Sequence, residues 1–440
     1  MTGPYVGMLA GGAGARPQCY EGENHLLTVG PPGSGKSLGL IVPNLALLDR
    51  SMLVIDPKGE LARITARHRR KFGRVVIFNP FGEQTAKRPD LKSDGFNPLA
   101  ALDPASPHFV DDATAIAEGL VKIQGHDPHW SESAQDFVAA LLMHLRCEHG
   151  PKATLALFRK KLGEPRGQRG GPENKSVLGL DLTIGEMIAS DYEPIMNKAS
   201  RFKRDTNEMS SIISTALSQT KFLDSLPISK DLKGEGGFDF SQLRRETVTV
   251  YLILPARELH THANWLRMIV AAALRTLTRV LDEQGRPPVM LILDEFAQLG
   301  HMSTIENAMS LARGYGIQLW PFLQDLTQLK HLYGELWENF LGTAGVQTYY
   351  APRTLSTAEY VSRRCGTHEV AKETTNTDMR TGHKSVSRGL ADEPLFQPHQ
   401  LFGLGRAKII CFREYAAGHM LLETPLFTDK RLTWCQSLDP

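Results

Sequence analysis

The five cysteines, at positions 19, 147, 365, 411 and 435, are scattered, odd in number and never arranged as C-x-x-C. That excludes an evident zinc site or disulfide framework and suits a reducing cytoplasm. Histidines offer no ligand cluster either. The closest pair, His260-Thr261-His262, reads as the solvated start of a helix, and no metal is expected beyond the magnesium that a nucleotide would bring. Long apolar runs are also missing: none approaches the roughly 18–20 residues needed to cross a bilayer. Met1 to Arg16, rich in Gly and Ala, lacks a basic start followed by a continuous apolar stretch and does not read as a signal peptide. The chain is therefore expected to be soluble as it stands, with any membrane contact made through a partner. Charge of one sign is lacking too, since 50 Lys and Arg against 48 Asp and Glu leave a net charge of +2. Bulk electrostatics do not demand nucleic acid, so a DNA-binding surface would have to be local.

What remains is ordinary globular material, 41% hydrophobic and 22% charged over 440 residues, enough for a large core and more than one folded unit. The first part alternates strand and helix. His25 to Val29 is a short apolar run; a Gly-rich turn and a helix from about Lys36 to Leu48 follow. Met52 to Ile55 is the next strand, Glu60 to Phe72 an Arg-rich helix, and Val75 to Phe78 a third strand. Such alternation predicts an α/β fold, a parallel sheet covered by helices on both faces. From Pro107 to Lys221 the pattern turns helical, with Phe137, Leu141, Leu142 and Leu145 on one stripe and Ile212, Ile213 and Leu217 on another. The polar, glycine-rich stretch Gly163 to Lys175 reads as a surface loop. Strands return at Val248 to Leu254, Val289 to Leu293, Ile317 to Phe322 and Val346 to Tyr350, with a helix over Asn264 to Asp282. Lys372 to Glu393, rich in Thr and Ser, is expected to be a mobile loop. The division that follows is a nucleotide-binding domain in two parts, 1–106 and 236–440, around an inserted all-α domain, 107–235.

Gly30-Pro31-Pro32-Gly33-Ser34-Gly35-Lys36-Ser37 fits G-x-x-x-x-G-K-[ST] without mismatch. Glycines let the backbone curl so that successive N–H groups face phosphates. The start of the next helix adds its dipole and its free N–H groups. Lys36 then reaches the β- and γ-phosphates, and the Ser37 hydroxyl ligates Mg²⁺. The loop follows an apolar strand and opens a helix, which argues against an accidental Gly-rich turn. Further on, Val289-Met-Leu-Ile-Leu293 runs into Asp294-Glu295. A strand ending in an acidic turn is common by itself, but with a phosphate loop upstream Asp294 is expected to hold the magnesium shell and Glu295 to polarise the attacking water. No NKxD-type guanine reader is evident, so ATP is the expected nucleotide.

Taken together the motifs resemble one family, the type IV secretion coupling proteins, TraG-like conjugative DNA-transfer ATPases. The resemblance rests on Gly22-Glu-Asn-His25, Val42-Pro-Asn-Leu45, Asp56-Pro-Lys-Gly-Glu60, Phe78-Asn-Pro80, Phe96-Asn-Pro-Leu99, Asp294-Glu-Phe296, Arg313-Gly-Tyr-Gly316 and Gln324-Asp-Leu-Thr-Gln-Leu329. It runs from about residue 20 to the C-terminus. It implies a RecA-like P-loop sheet, an inserted all-α domain and a hexameric ring at the cytoplasmic face of the bacterial inner membrane. The implied task is delivery of single-stranded DNA with its relaxase, or of protein effectors, to the channel ATPases and inner-membrane components of a type IV secretion system. The resemblance makes Arg313 an arginine finger acting across a subunit boundary and Gln324 a sensor of the γ-phosphate. Members of the family usually begin with transmembrane helices, and this sequence shows none.

Plainer readings stand beside these. Arg313 can cap a helix end, Gln324 can be a turn residue, and Asp56, Lys58 and Glu60 can cap a helix start. Trp130 reads as a core anchor of the helical segment in preference to a DNA-stacking residue. The stretch Arg63 to Arg74 reads as a basic solvated helix before it reads as a DNA path. Two rival functions remain open at this level: an effector receptor of the same fold that never handles DNA, and a nucleotide-switched adaptor with little turnover.

Overall fold

Unbroken apolar runs make strands buried on both faces, as parallel sheets require. In chain order the strands among the described residues are β1 (Tyr5–Leu9), β2 (Arg16–Cys19), β3 (His25–Val29), β4 (Met52–Ile55), β5 (Arg74–Phe78), β6 (Gln168–Arg169), β7 (Ser176–Val177), β8 (Val248–Leu252), β9 (Val289–Leu293), β10 (Ile317–Leu323), β11 (Ala344–Tyr350), β12 (Thr367–Thr377), β13 (Lys384–Pro394), β14 (Lys408–Arg413) and β15 (Met420–Glu423). The structure, a computed structural model, describes residues 3–9, 15–123, 128–166, 168–169, 176–177, 179–202, 207–234, 238–279, 285–377 and 384–438. The chain forms two compact units, Met1–Leu48 with Trp320–Gln436, and Asp49–Leu319 with Ser437–Pro440.

In the first unit the strand order is β2-β1-β15-β14-β11-β3-β10. Here β3 runs parallel to β11 and to the end of β10, and an antiparallel set continues through β14, β15, β1 and β2. A buried polar chain pins the central strands: the Trp320 indole N–H donates to Thr28 Oγ1 at 2.9 Å, which lies 2.7 Å from Thr348 Oγ1. The helix expected from Lys36 to Leu48 is present but divided, a π-helical turn Ser37–Ile41 followed by α-helix Val42–Leu47. Pro43 has no N–H for the preceding turn and its ring crowds that turn's carbonyl, which the wider π turn accommodates. Asn44 is fully buried. Its side chain accepts from Tyr5 N at 2.7 Å and donates to Tyr5 O and Leu40 O, both at 2.8 Å. That explains an amide in the middle of the apolar Val42-Pro-Asn-Leu45 run.

In the second unit β9, β4, β8 and β5 pair in that order, all parallel. Helices Phe109–Leu120, His129–His149, Leu155–Leu162, Leu180–Ile188, Glu193–Ser200, Asn207–Gln219 and Leu226–Asp231 lie between β5 and β8 in the chain. Phe137, Leu141, Leu142, Leu145, Ile212 and Ile213 are buried as their spacing predicts, and Leu217 is half-buried. Among the described residues only β6 and β7, two residues each, interrupt the helices with strand; of the expected surface loop Gly163 to Lys175, residues 167 and 170–175 lie outside the described residues.

Several expectations need correction. Lys372 to Glu393 is not a loop in its described part: β12 and β13 pair as an antiparallel hairpin, from Thr367 opposite Pro394 to Thr377 opposite Lys384. Residues 378–383, also in that expected loop, lie outside the described residues. A polar segment with β-branched Thr and Val suits a hairpin as well as it suits a loop, and composition alone chose wrongly. His260 is exposed and the pair stands where Ala256–Arg279 kinks into a second helix, at the non-helical His262, as a helix start would; but His262 is not solvated, being buried against the Phe81 ring. Trp130 is not a core anchor: it is 36% exposed in the first turn of His129–His149 and meets the His129 ring edge-on. The basic helix is not solvated throughout. Arg69 is fully buried, donating to Thr249 Oγ1 at 2.8 Å and to Arg50 O at 2.7 Å.

Removing the Asn44 side chain leaves a buried donor and a buried acceptor of Tyr5 unpaired. Asn44→Ala should therefore destabilise the protein by roughly 2–5 kcal/mol, measured as a shift in urea midpoint with unchanged slope.

Candidate nucleotide-binding site

The phosphate loop starts where β3 ends. Gly30 N donates to Leu323 O at 2.9 Å, which ties the loop's first residue to the end of β10. A Cβ on Gly30 would fall 2.8 Å from the Tyr350 ring, so only glycine fits there. Gly33 and Gly35 take φ of +76° and +90°, the left-handed backbone that lets the loop curl. Lys36 is 6% exposed, and its ammonium donates to Gly30 O at 3.3 Å. No carboxylate among the described residues pairs with it. A buried cation satisfied only by a carbonyl favours the arrival of an anion. Ser34 Oγ is buried without a hydrogen-bond partner, a second orphan in the same turn. Ser37 follows as the first residue of the π turn. Gln324 comes directly after β10; its N–H donates to Gln328 Oε1 at 2.9 Å. Beside the loop lies a cleft of about 290 Å³ lined by Pro31 to Ser34, Tyr350 to Arg353, Phe402 and Arg406. Sequence reasoning missed this wall, because nothing in the spacing of residues 350–353 and 402–406 signals their meeting.

In the second unit the carboxylates collect at one sheet end for a reason of register. Ile55 of β4 stands opposite Leu293 of β9, so the next residues, Asp56 and Asp294, leave adjacent parallel strands side by side. Both are buried, at 1% and 7% exposure. Asp56 accepts from Ala62 N at 2.8 Å and its own N–H donates to Leu252 O at 2.9 Å, so it holds the start of helix Glu60–Arg69. The helix-capping reading of Asp56 therefore has geometric support. Burial pushes Asp56 up to about 7, with the neighbouring Asp294 raising it further against the N–H donors that lower it. Two carboxylates in one buried corner form a ready cation-binding environment. Glu295 is half-buried with φ +52°, a left-handed turn that costs a non-glycine residue about 1–2 kcal/mol. Strain of this kind at the end of a fully buried strand marks a candidate functional turn. The Glu295 N–H donates to Asp294 Oδ1 at 3.1 Å, and Phe296, fully buried, anchors the chain beyond. Arg313 has its backbone in the one-turn helix Ala312–Tyr315; its side chain lies outside the described residues.

The structure thus brings Gly30 to Ser37 and Gln324 together in one unit, and Asp294 and Glu295 with Asp56 in the other. Taken unit by unit, the glycine-lined curl, the buried ammonium with no acid partner among the described residues and the orphan hydroxyl fit an oligophosphate, and the buried carboxylate pair of the other unit fits a divalent cation. Among the described residues no three His, Cys, Asp or Glu gather as a metal cage, and Mg²⁺ does not need one when phosphate and water fill most of its shell.

The family description "Type IV secretory system Conjugative DNA transfer" matches residues 4–435. The chain belongs to that family. It is 28% identical over 409 residues to the conjugal transfer protein TraG of Escherichia coli, covering 87% of this chain and 62% of that protein. It is 26% identical over 420 residues to VirD4 of Agrobacterium fabrum (strain C58), covering 91% of this chain and 58% of that one. The chain therefore spans about three-fifths of the length of these relatives. Among solved structures, the plasmid coupling protein TrwB in complex with ADP and Mg²⁺ superposes with a TM-score of 0.63 at 16% identity, over 92% of this chain and 86% of that one. The fold is the coupling-protein fold, a RecA-like α/β sheet. Among the described residues no helix is long and apolar enough to cross a membrane.

Lys36→Ala removes the one buried cation of the loop. It should abolish detectable binding of ATP at concentrations that saturate the native protein, with an unchanged melting temperature in nucleotide-free buffer. Native affinity in that variant would remove the phosphate-loop assignment.

Proposed function

We propose that this protein is the coupling ATPase of a type IV secretion or conjugation system. In this reading it binds ATP with Mg²⁺ at the phosphate loop and hydrolyses it to deliver cargo to the channel. The observation that carries this is the glycine-cradled, acid-free ammonium of Lys36 at the end of a parallel strand, in a chain of this family. TrwB, solved with ADP and Mg²⁺, supports the nucleotide and the metal. Gly30 to Ser37 would wrap the phosphates, with Lys36 facing the β- and γ-groups; Ser37 would be the magnesium ligand of the loop, and Asp294 that of the acidic strand end. When bound, Mg²⁺ neutralises charge developing on the transferring phosphoryl group. Glu295 would take the proton of the attacking water, Gln324 would sense the γ-phosphate, and Arg313 would serve a neighbouring subunit as a finger. Base and ribose would lie in the cleft between Pro31 to Ser34 and the wall of Tyr350, Phe402, Arg353 and Arg406.

The cargo reading follows family membership: DNA with its relaxase, or protein effectors, passed to the secretion channel at the cytoplasmic face of the inner membrane by a self-assembled ring, a hexamer by resemblance. The helical segment 107–235 is the part with little catalytic chemistry, so it would meet cargo. Steady-state ATPase activity, with and without single-stranded DNA and across protein concentrations, tests turnover, DNA dependence and assembly together. Turnover indifferent to DNA but raised by a protein effector would favour the effector receptor; tight ATP binding with no turnover would favour the adaptor.

Glu295→Gln should retain ATP affinity and lose at least about a hundredfold in kcat, since an amide cannot accept the proton. Arg313→Ala should bind ATP normally and lose the concentration-dependent rate. Mixing the two inactive variants should restore turnover, because some interfaces then pair an intact carboxylate with an intact finger; persistent inactivity in assemblies shown to exchange subunits would rule out the shared site.

A further inference from the structure

Helix Ala256–Arg279 carries two buried polar side chains, three residues apart, that the proposed chemistry leaves unused. Asn264 is 8% exposed, and its amide donates to Leu120 O and to Gln219 O, each at 2.9 Å. Those carbonyls are the C-terminal ends of helices Phe109–Leu120 and Asn207–Gln219, both in the helical segment. Arg267 is 5% exposed, and its guanidinium donates to Leu299 O and to His301 O, each at 2.6 Å. Those carbonyls close the turn Phe296–Leu299 that begins at Glu295. One helical turn therefore ties two ends of the helical segment to the loop that shapes Glu295.

The coupling has little slack. Helix Ala256–Arg279 packs on Phe109–Leu120 so closely that a Cβ on Gly119 would fall 2.6 Å from Met268 Cα, so a shift of one helix moves the other. Glu295 needs support, because a non-glycine residue at φ +52° holds only if its surroundings over-determine it. Arg267 supplies that support from outside the strand: its Nη1 donates to both carbonyls at once, and the planar guanidinium holds that nitrogen in place.

We propose that Arg267 is a positioning residue for Glu295 and that Asn264 makes this position responsive to the helical segment. Arg267 touches neither nucleotide nor water in this scheme; it sets the turn from which the Glu295 carboxylate projects. Cargo that displaces the ends of helices Phe109–Leu120 and Asn207–Gln219 would pull on Asn264, slide its helix and re-aim the turn. The inference rests on Glu295 being the base of the proposed reaction.

Hydrogen exchange on the full chain tests it without relying on turnover. The reporters are the amides of Gln298 and Gly300, which bond within the turn to Glu295 O and Ala297 O at 2.9 and 3.1 Å. Arg267→Met should speed their exchange by at least about tenfold, with Val289–Leu293 as protected as in the native protein, and Arg267→Lys should recover part of the protection. Asn264→Ala should speed exchange at Val121 and Thr220, which bond back to Ala117 O and Ala216 O, and also at Gln298 and Gly300. Unchanged turn protection in Arg267→Met would overturn the positioning role, and unchanged turn protection in Asn264→Ala would overturn the link. In parallel, Arg267→Met should lower kcat roughly tenfold, about 1.4 kcal/mol of transition-state stabilisation, with KM for ATP within about twofold. An equal loss of ATP binding and melting temperature would mark Arg267 as merely structural. A native protein without ATP turnover would sink the proposed function, and the exchange data would still decide the clamp.

Discussion

The chemistry of this chain depends on the register of its parallel strands. Side chains at the carboxyl end of a parallel sheet meet only if neighbouring strands end level. In one unit Val29 pairs with Leu323, so the phosphate loop and Gln324 emerge together. In the other Ile55 pairs with Leu293, so Asp56 and Asp294 do. A slip of one residue in either ladder would turn each of these groups to the opposite face. Within each unit the ladder decides which of these groups stand together.

Holding register in a sheet of apolar runs requires polar pins, because Val, Leu and Ile alone specify volume better than position. Thr28, Trp320 and Thr348 form one pin through the centre of the first unit, and Asn44 fastens β1 to the helix that follows the loop. Arg69 does similar work in the second unit by joining Thr249 of β8 to the Arg50 carbonyl. Each group is buried and each is satisfied, which makes a polar core specific instead of costly. Against that well-paired background stand three features that remain unfavourable without ligand: the ammonium of Lys36 on a carbonyl, the adjacent carboxylates of Asp56 and Asp294, and the left-handed backbone at Glu295. In each unit these features lie at strand ends, a placement that marks a candidate site for a charged ligand.

The strands of the parallel core were legible because both faces are buried. A run such as Met52-Leu-Val-Ile55 or Val289-Met-Leu-Ile-Leu293 admits few other readings. The antiparallel edge was not: Tyr5–Leu9, Lys408–Arg413 and Met420–Glu423 mix glycine, charge and apolar residues, and acquire their meaning only from β11 beside them. The hairpin of β12 and β13 was hidden by the same ambiguity, since Thr- and Ser-rich polar segments form strands when a partner strand exists. Trp130 and Arg69 misled in opposite directions. Aromatic character suggested burial where the residue stands exposed in a first helical turn, and positive charge suggested solvent where carbonyl and hydroxyl acceptors lay waiting inside.

By itself the sequence determined the G-x-x-x-x-G-K-S motif, the acidic strand end, the α/β pattern and the family, because these are written in contiguous residues at fixed spacing. Only the tertiary structure decided that Asp56 stands beside Asp294, that Tyr350 and Arg406 wall the loop, and that one helix joins Asn264 and Arg267 to two distant sets of carbonyls. Those facts depend on pairings between residues far apart in the chain, and no local period or motif encodes which backbone oxygen a buried amide or guanidinium will find.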